Sequence, residues 1–227
     1  MDAPIWEQLQ FEPPALLVFG GGGHGKTVID LVRAGGVYTV VGVLDDSLPV
    51  GSRVNGAPVL GGGALLPALA ARGLRLAANA VGGIGNVRVR LHVFDLLEQA
   101  HLECPNLVHP SACVEPSAVL EGGVQVLAQS YISSEARVGF GTVINAGVVV
   151  SHDCHIGRCV NLSPGALLAG GVRVEDHAQI GMGATVNLNL TIGSGARVGN
   201  GATVKADVPA QGRVYAGTIW PPRPAAE

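Results

Sequence analysis

The sequence predicts a two-part fold: a small α/β Rossmann-like N-terminal domain, then a parallel β-helix of hexapeptide repeats. Three observations carry this. Apolar β-type runs alternate with helical stretches over residues 15–104. From Val108 to Val204, seventeen consecutive positions spaced by six are Val, Ile or Leu. The 34 glycines of this 227-residue chain gather in two strand-end loops and then at the turns of the repeat. The expected divisions are an N-terminal extension, 1–14, the α/β domain, 15–104, the β-helix, 105–206, and a C-terminal tail, 207–227.

In the first half, Ala15-Leu16-Leu17-Val18-Phe19 is a short apolar run of the buried-strand type, followed by Gly20-Gly21-Gly22-Gly23-His24-Gly25-Lys26-Thr27 and a helical stretch from Val28 to Ala34. A β-rich run, Tyr38 to Leu44, ends at Asp45-Asp46, and a helix is expected from Ala64 to Arg72. The apolar run Leu76 to Val81 leads into Gly82-Gly83-Ile84-Gly85-Asn86 and a helix from about Val87 to Gln99. Strands alternating with helices imply a parallel sheet.

The loop after the first strand satisfies two patterns. Gly20-x-x-x-x-Gly25-Lys26-Thr27 fits the P-loop, and Gly20-x-Gly22-x-x-Gly25 fits the dinucleotide fingerprint, with Asp45 twenty residues beyond Gly25. Both set phosphates against backbone amides at a helix N-terminus, where the dipole favours negative charge. A domain of this size is too small for a full nucleoside-triphosphate hydrolase with its metal and water-positioning elements. It holds one mononucleotide-binding half rather than the two of a nicotinamide enzyme. A single phosphorylated nucleotide is the ligand that fits. Asp45 or Asp46 is placed to accept from ribose or base, and Gly85 and Arg90 lie at the end of a later strand. Tight strand-to-helix packing and a polar loop edge are the structural alternatives.

In the second half a period of six belongs neither to a helix nor to a hairpin sheet. It suits one short strand plus a turn, three of which close a triangular coil. Two residues before each aliphatic, from Ala112 onward, comes a mostly small residue that leaves room for it. Gly139, Gly157, Gly181, Gly193 and Gly199 directly follow their aliphatic, at turns where a side chain would restrict the backbone.

Composition narrows the function. A formal charge of −3 gives no basic footprint for nucleic acid. Mean hydropathy is +0.38, yet no stretch reaches the roughly 18 apolar residues of a spanning helix, and Met1 to Pro14 does not read as a secretory signal. A cytoplasmic protein with neither nucleic-acid nor membrane partner is expected. Cys104, Cys113, Cys154 and Cys159 lack paired CxxC spacing and are expected to be free thiols, with no metal bound.

The glycine loop with His24, Asp45-Asp46, Val59-Leu60-Gly61, His109-Pro110-Ser111-Ala112 and Ser151-His152-Asp153-Cys154 within hexapeptide repeats together resemble the bacterial nucleotide-sugar N-acetyltransferases. These include the bacillosamine-pathway and perosamine acetyltransferases and the related sialic acid O-acetyltransferases. The resemblance covers about residues 15–205. It implies a left-handed β-helix, a homotrimer with acetyl-CoA bound between adjacent subunits, and a nucleotide-linked amino sugar held by the N-terminal domain, for glycan biosynthesis. By position, His152 matches the catalytic base and Asp153 its orienting acid. Gly22, Gly23, His24, Asp45, Asp46 and Gly85 match sugar-nucleotide contacts, with Arg90 beside them, and Asn145 a polar residue lining the site. Acetyl-CoA contacts are expected from Asn161, Gly170, whose amide lies near the thioester carbonyl, and position 200, Asn200. The repeat register agrees on His152: two residues past an inward valine, it sits on a turn facing outward. Cys154 takes the small inward position, which makes it a packed thiol rather than an acyl carrier. Sugar O-acetylation and a non-catalytic nucleotide-sugar-binding trimer are the alternatives. The end of the chain, Ala216-Gly217-Thr218-Ile219-Trp220-Pro221-Pro222-Arg223, departs from the family's pattern.

Overall fold

The structure is a computed structural model describing residues 5–9, 11–12, 14–85 and 87–222. Asn86 and Arg223, quoted above, lie outside the described residues. The chain divides into two compact units, one running to residue 107 and the other from Val108, except that Gly83–Gly85 group with the second.

In the first unit, β1 (Ala15–Phe19), β2 (Thr39–Leu44), β3 (Arg53–Val54), β4 (Ala57–Gly61) and β5 (Leu76–Asn79) form a sheet of order β3-β4-β2-β1-β5. The β1–β2, β1–β5 and β2–β4 pairs are parallel, and β3 adds an antiparallel edge to β4. This short hairpin is absent from the expected elements, because Asn55-Gly56 sits between runs too short to show a period. The helices are α1 (Gly23–Gly35), α2 (Leu66–Ala71) and α3 (Val87–Gln99). Helix α1 starts five residues earlier than expected. Its first turn is built from the glycine loop itself, with Gly22 as N-cap. All of β1 is buried, as a central strand covered on both sides must be. Before the sheet, a 3-10 turn at Ile5–Gln8 is held by the Arg72 guanidinium, which donates to the Glu7 and Leu9 carbonyls at 2.7 and 3.2 Å.

The second unit is the β-helix. Nineteen two-residue strands, from β6 (Leu107–Val108) to β24 (Ile219–Trp220), fall on three parallel faces. Face 1 begins with Leu107–Val108, face 2 with Cys113–Val114 and face 3 with Val119–Leu120, and they hold seven, seven and five strands. Partners lie eighteen residues apart, as in Val138↔Ile156↔Val174. The second residue of each strand points inward and forms one continuous aliphatic core with the small residues two positions before it. Each fully buried Val, Ile or Leu contributes roughly 1.5–3 kcal/mol. Repeating that from Val126 to Val204, with Val108, Val114 and Leu120 partly buried at the first coil, substitutes for an aromatic core.

The turn glycines have a different cause from the one expected. A Cβ on Gly139 would lie 2.7 Å from the Gly157 carbonyl carbon, and one on Gly181 would lie 2.6 Å from the Asn200 nitrogen. Stacking of the next coil, not a special backbone angle, excludes a side chain there. The left-handed conformation falls instead three residues after each aliphatic from Leu120 to Val198, as at Gly141, Gly147, Gly165 and, without glycine, at Asp153, His177 and Asn189.

The helix also runs past the boundary expected at residue 206. Val198 pairs with Val214 and Val204 with Trp220, sixteen rather than eighteen residues on. The coil shortens by two residues around Asp207, and the six-residue period then resumes from Val208, which hid the last coil from the periodicity. The described tail up to Trp220 is therefore part of the β-helix.

Candidate functional site

The turn joining face 2 to face 3 builds the most distinctive polar arrangement of the β-helix. After the strand Val149–Val150, His152 and Asp153 form the corner, and Asp153 takes the left-handed position at φ 59°. That backbone aims its carboxylate back at its neighbour: Asp153 Oδ2 lies 2.6 Å from His152 Nδ1. Both side chains face solvent, 63% and 64% exposed. With Nδ1 engaged by a carboxylate, the tautomer that donates from Nδ1 is favoured and Nε2 is left as an acceptor. A charge-assisted hydrogen bond of this length also fixes the ring orientation.

One coil on, Gly170 occupies the position equivalent to His152. A Cβ on Gly170 would lie 2.5 Å from His152 Cε1 and 2.7 Å from Nε2, so the ring rests on the glycine itself. The adjacent Gly171 N–H donates to the His152 carbonyl at 2.9 Å, locking the two coils together, and the Gly170 carbonyl accepts from Asn189 N–H at 3.0 Å. The expected trio His152, Asp153 and Gly170 is thus assembled within one chain.

The remaining positions expected in this half do not join it. Asn145 lies on the corner between faces 1 and 2, where its Nδ2 donates to the Leu162 carbonyl at 2.8 Å. Asn161 sits on face 1, buried, donating to Ser163 Oγ at 3.1 Å and lying under Gly83. Asn200 is on the same corner as Asn145, three coils later, and its Oδ1 caps the Met182 N–H at 2.9 Å. The width of face 2 separates these residues from the His152 corner. The reason is the triangular register: sequence spacing alone does not show which of three corners a residue occupies unless it is counted modulo eighteen.

In the first unit the glycines separate into two kinds. A Cβ on Gly20 would meet the Ala80 carbonyl carbon at 2.9 Å, and one on Gly25 would collide with the Gly20 carbonyl oxygen, so these two serve strand-to-helix packing. Gly22 and Gly23 are exposed, with open space where a Cβ would stand. They and the half-exposed His24 open the 13-residue helix α1, which presents N–H groups and the positive end of its dipole. Asp45 and Asp46 already grip the same rim. Asp45 accepts from Gly21 N–H at 2.7 Å and Ser47 N–H at 2.8 Å, and Asp46 accepts from Gly63 N–H at 2.8 Å. These carboxylates tie the turn after β2 to the glycine loop and to Gly63.

Arg90 is corrected by the structure. It is 1% exposed, donates to the Asn79 and Val81 carbonyls at 3.2 and 2.6 Å, and packs over Phe94. Asn79 returns a bond to the Arg90 carbonyl at 2.8 Å. A guanidinium enclosed in this way cannot reach a ligand; it fixes the strand end that leads into the 82–85 loop. Gly85, exposed at φ 88°, stands within the second unit, where its carbonyl accepts from Arg197 at 3.4 Å, while the Gly83 carbonyl accepts from Gln179 at 3.1 Å. Neither Gln179 nor Arg197 was expected at this loop, although both hold outward strand positions one coil apart on face 1.

The four cysteines are free thiols. Cys154 is fully buried, its Sγ donating to the Ala169 carbonyl at 3.2 Å, and burial pushes its pKa up. A neutral, enclosed thiol is a poor nucleophile. Among the described residues, no group of three His, Cys, Asp or Glu is placed to hold a metal ion, and no helix is long and apolar enough to cross a membrane.

Comparison with known proteins finds relatives along most of the chain. Residues 15–97 match the family described as PglD N-terminal domain. A GDP-perosamine N-acetyltransferase from Escherichia coli O157:H7 is 31% identical over 166 residues, 70% of this chain and 72% of that one. The crystal structure of PerB from Caulobacter crescentus in complex with CoA and GDP-perosamine is 37% identical, with a TM-score of 0.82 over 88% of this chain and 92% of that one. The acetyltransferase domain of PglB from Neisseria gonorrhoeae FA1090, in complex with acetyl coenzyme A, is 35% identical, with a TM-score of 0.82 over 90% of this chain and 97% of that one. With identity of this order across most of both chains, this protein belongs to the nucleotide-sugar N-acetyltransferases built on a left-handed β-helix.

Proposed function

We infer that this protein transfers the acetyl group of acetyl-CoA to the amino group of a nucleotide-linked amino sugar, by direct attack with His152 as general base. The observation that carries the catalytic assignment is the His152–Asp153 pair seated on Gly170. Its Nε2 is the acceptor for a proton of the attacking amine, while Asp153 supports the imidazolium that forms. The amine nitrogen bonds to the thioester carbon, and the oxyanion that develops is met by a prealigned donor, assigned here to the Gly170 N–H. When the tetrahedral species collapses, the carbon–sulfur bond breaks and the imidazolium returns its proton to the departing thiolate. Amide and thiol are formed with charge and protons balanced. A positioned general base contributes typically about 10²–10⁴-fold.

The nucleotide-linked sugar is assigned to the first unit, its phosphates on the open Gly22 and Gly23 amides beside His24, its nucleoside toward Asp45 and Asp46. Asn145, Asn161 and Asn200 lie on a face and corner away from His152, so for them to act at the same centre a second copy of the chain must supply them. This supports a homotrimer with acetyl-CoA between adjacent subunits, for which light scattering should return the mass of three chains; a monomer contradicts it. The cytoplasm is the proposed compartment, since both substrates are made there. The enzymatic reading is tested by thiol release from acetyl-CoA across nucleotide-linked 3-amino and 4-amino sugars. His152→Ala should retain substrate binding and lose turnover by about 10²-fold or more; near-full turnover on the true acceptor excludes His152 as the base.

A further inference from the structure

Face 3 of the β-helix carries a column of basic side chains that the acetyl-transfer reading does not use. Arg137, His155 and Arg173 hold the outward positions of successive strands and pair directly in the parallel ladder, Arg137↔His155↔Arg173. Adjacent strands are about 4.8 Å apart, so Arg137 and Arg173, two strands apart with His155 between them, have backbones about 10 Å from each other. All three are exposed, and they line a groove of about 430 Å³ together with Arg158.

Glu121, Glu175 and Asp176 line the groove as well, yet none forms an ion pair with the column among the described residues. Each is committed to the neighbouring coil instead: Glu121 accepts from Phe140 N–H, Asp176 from Arg158 N–H and Glu175 from Ser194 N–H, all at 2.8 Å. Arg158 stacks over Phe140 at 5.5 Å, which holds its guanidinium at the groove's edge. The column therefore sets two guanidiniums, Arg137 and Arg173, on either side of His155, and each neighbouring acid is engaged by a backbone N–H of an adjacent coil.

We propose that this groove on face 3, built by Arg137, His155, Arg173 and Arg158, binds the phosphate groups of a phosphorylated ligand. Guanidinium forks match phosphate oxygens in pairs, and Arg137 and Arg173 present two such forks on either side of His155. Two sources share this chemistry. The middle member of the column, His155, lies three residues after His152, so a ligand whose reacting end lies on the His152–Gly170 corner can lay a phosphorylated tail across face 3; acetyl-CoA is such a ligand, and this source rests on the function proposed above. The other source is a separate phosphorylated small molecule, which does not rest on it.

The test is titration calorimetry of the full chain with adenosine 3′,5′-bisphosphate and with pyrophosphate, comparing wild type, R137Q/R173Q and R173Q. R213Q, the same single-charge change as R173Q made on face 1, is the control. The expected result is binding of at least one probe, weakened at least about tenfold in R137Q/R173Q, by a smaller factor in R173Q, and unchanged in R213Q. No binding of either probe by wild type, equal binding by R137Q/R173Q, or equal weakening by R213Q overturns the proposal. The source is read from turnover: a raised KM for acetyl-CoA at unchanged kcat in R137Q/R173Q assigns the groove to the coenzyme, and an unchanged KM with probe binding lost assigns it to a separate ligand. Because the calorimetry needs no turnover, failure to find acetyl transfer at all would count against the proposed function and leave the anion site to be judged by its own measurement.

Discussion

Replacing Gly170 by alanine isolates the support beneath the base without touching the base itself. The added Cβ would stand 2.5 Å from His152 Cε1 and 2.7 Å from Nε2, whereas carbon atoms settle at about 3.5–4.0 Å. The imidazole must therefore retreat by about 1 Å, either swinging its Nε2 away from the substrate or breaking the 2.6 Å bond to Asp153. A misplacement of about 1 Å costs on the order of 10² in rate, equivalent to about 2.7 kcal/mol of transition-state stabilisation. Gly170 does not have a positive φ, so alanine brings no backbone strain, and the melting temperature should hold within a few degrees. Steady-state thiol release should show kcat for G170A reduced about a hundredfold, and adding G170A to H152A should cost little more, because the ring it displaces is gone. G170A with kcat near that of wild type would refute the argument that His152 works from this seat.

Other consequences follow from the packing. In the glycine loop, Gly25→Ala drives a Cβ into the Gly20 carbonyl and should destabilise the first unit by about 1–3 kcal/mol; Gly22→Ala meets nothing in the fold and should leave the urea midpoint in place while raising KM for the nucleotide sugar. The reverse pattern would show that the exposed glycines do not receive the ligand. Arg90→Met removes the donors to the buried Asn79 and part-buried Val81 carbonyls and should cost about 3 kcal/mol in chemical denaturation; full stability with weakened substrate binding would return Arg90 to the ligand site. Burial raises the Cys104 thiol from 9.0 to about 11, against a smaller lowering by the Arg90 charge. Below pH 9 the thiol is protonated in both folded and unfolded chains. Between pH 9 and about 11 the unfolded chain alone ionises, so up to about 2–3 kcal/mol of stability is lost across that window. Cys104→Ala should flatten that part of the pH–stability curve, and an unchanged slope would contradict the assignment.

The β-helix was the most legible part of the chain, because its inward position repeats with every strand and a single slip would be visible. The slip that does occur, two residues lost around Asp207, fell after the last residue of the unbroken run and concealed the final coil. His152 and Asp153 were readable because the register turns that position outward and the family motif falls on it. Gly170 needed the resemblance, and the reason it must be glycine, the ring lying against it, is a contact between coils that no local pattern reveals. Arg90 misled because an arginine near a strand end is ordinarily solvated, and its burial depends on Asn79 and Phe94 converging from elsewhere in the first unit. Asn145, Asn161 and Asn200 were grouped by motif although the triangular cross-section sets them apart from His152. The basic column of face 3 was present in the spacing of eighteen between Arg137, His155 and Arg173, and it becomes meaningful only once Glu121, Glu175 and Asp176 are seen to bond elsewhere.

The most direct measurement is an acetyl-CoA turnover assay with matched acceptors: a nucleotide-linked amino sugar and the same compound with hydroxyl in place of amine, each given to wild type and to H152A. The account requires stoichiometric formation of free CoA and N-acetylated nucleotide sugar by wild type with the amine alone, and its loss in H152A. Equal turnover of the hydroxyl compound, or amine acetylation that survives in H152A, would contradict direct attack by an amine assisted by His152.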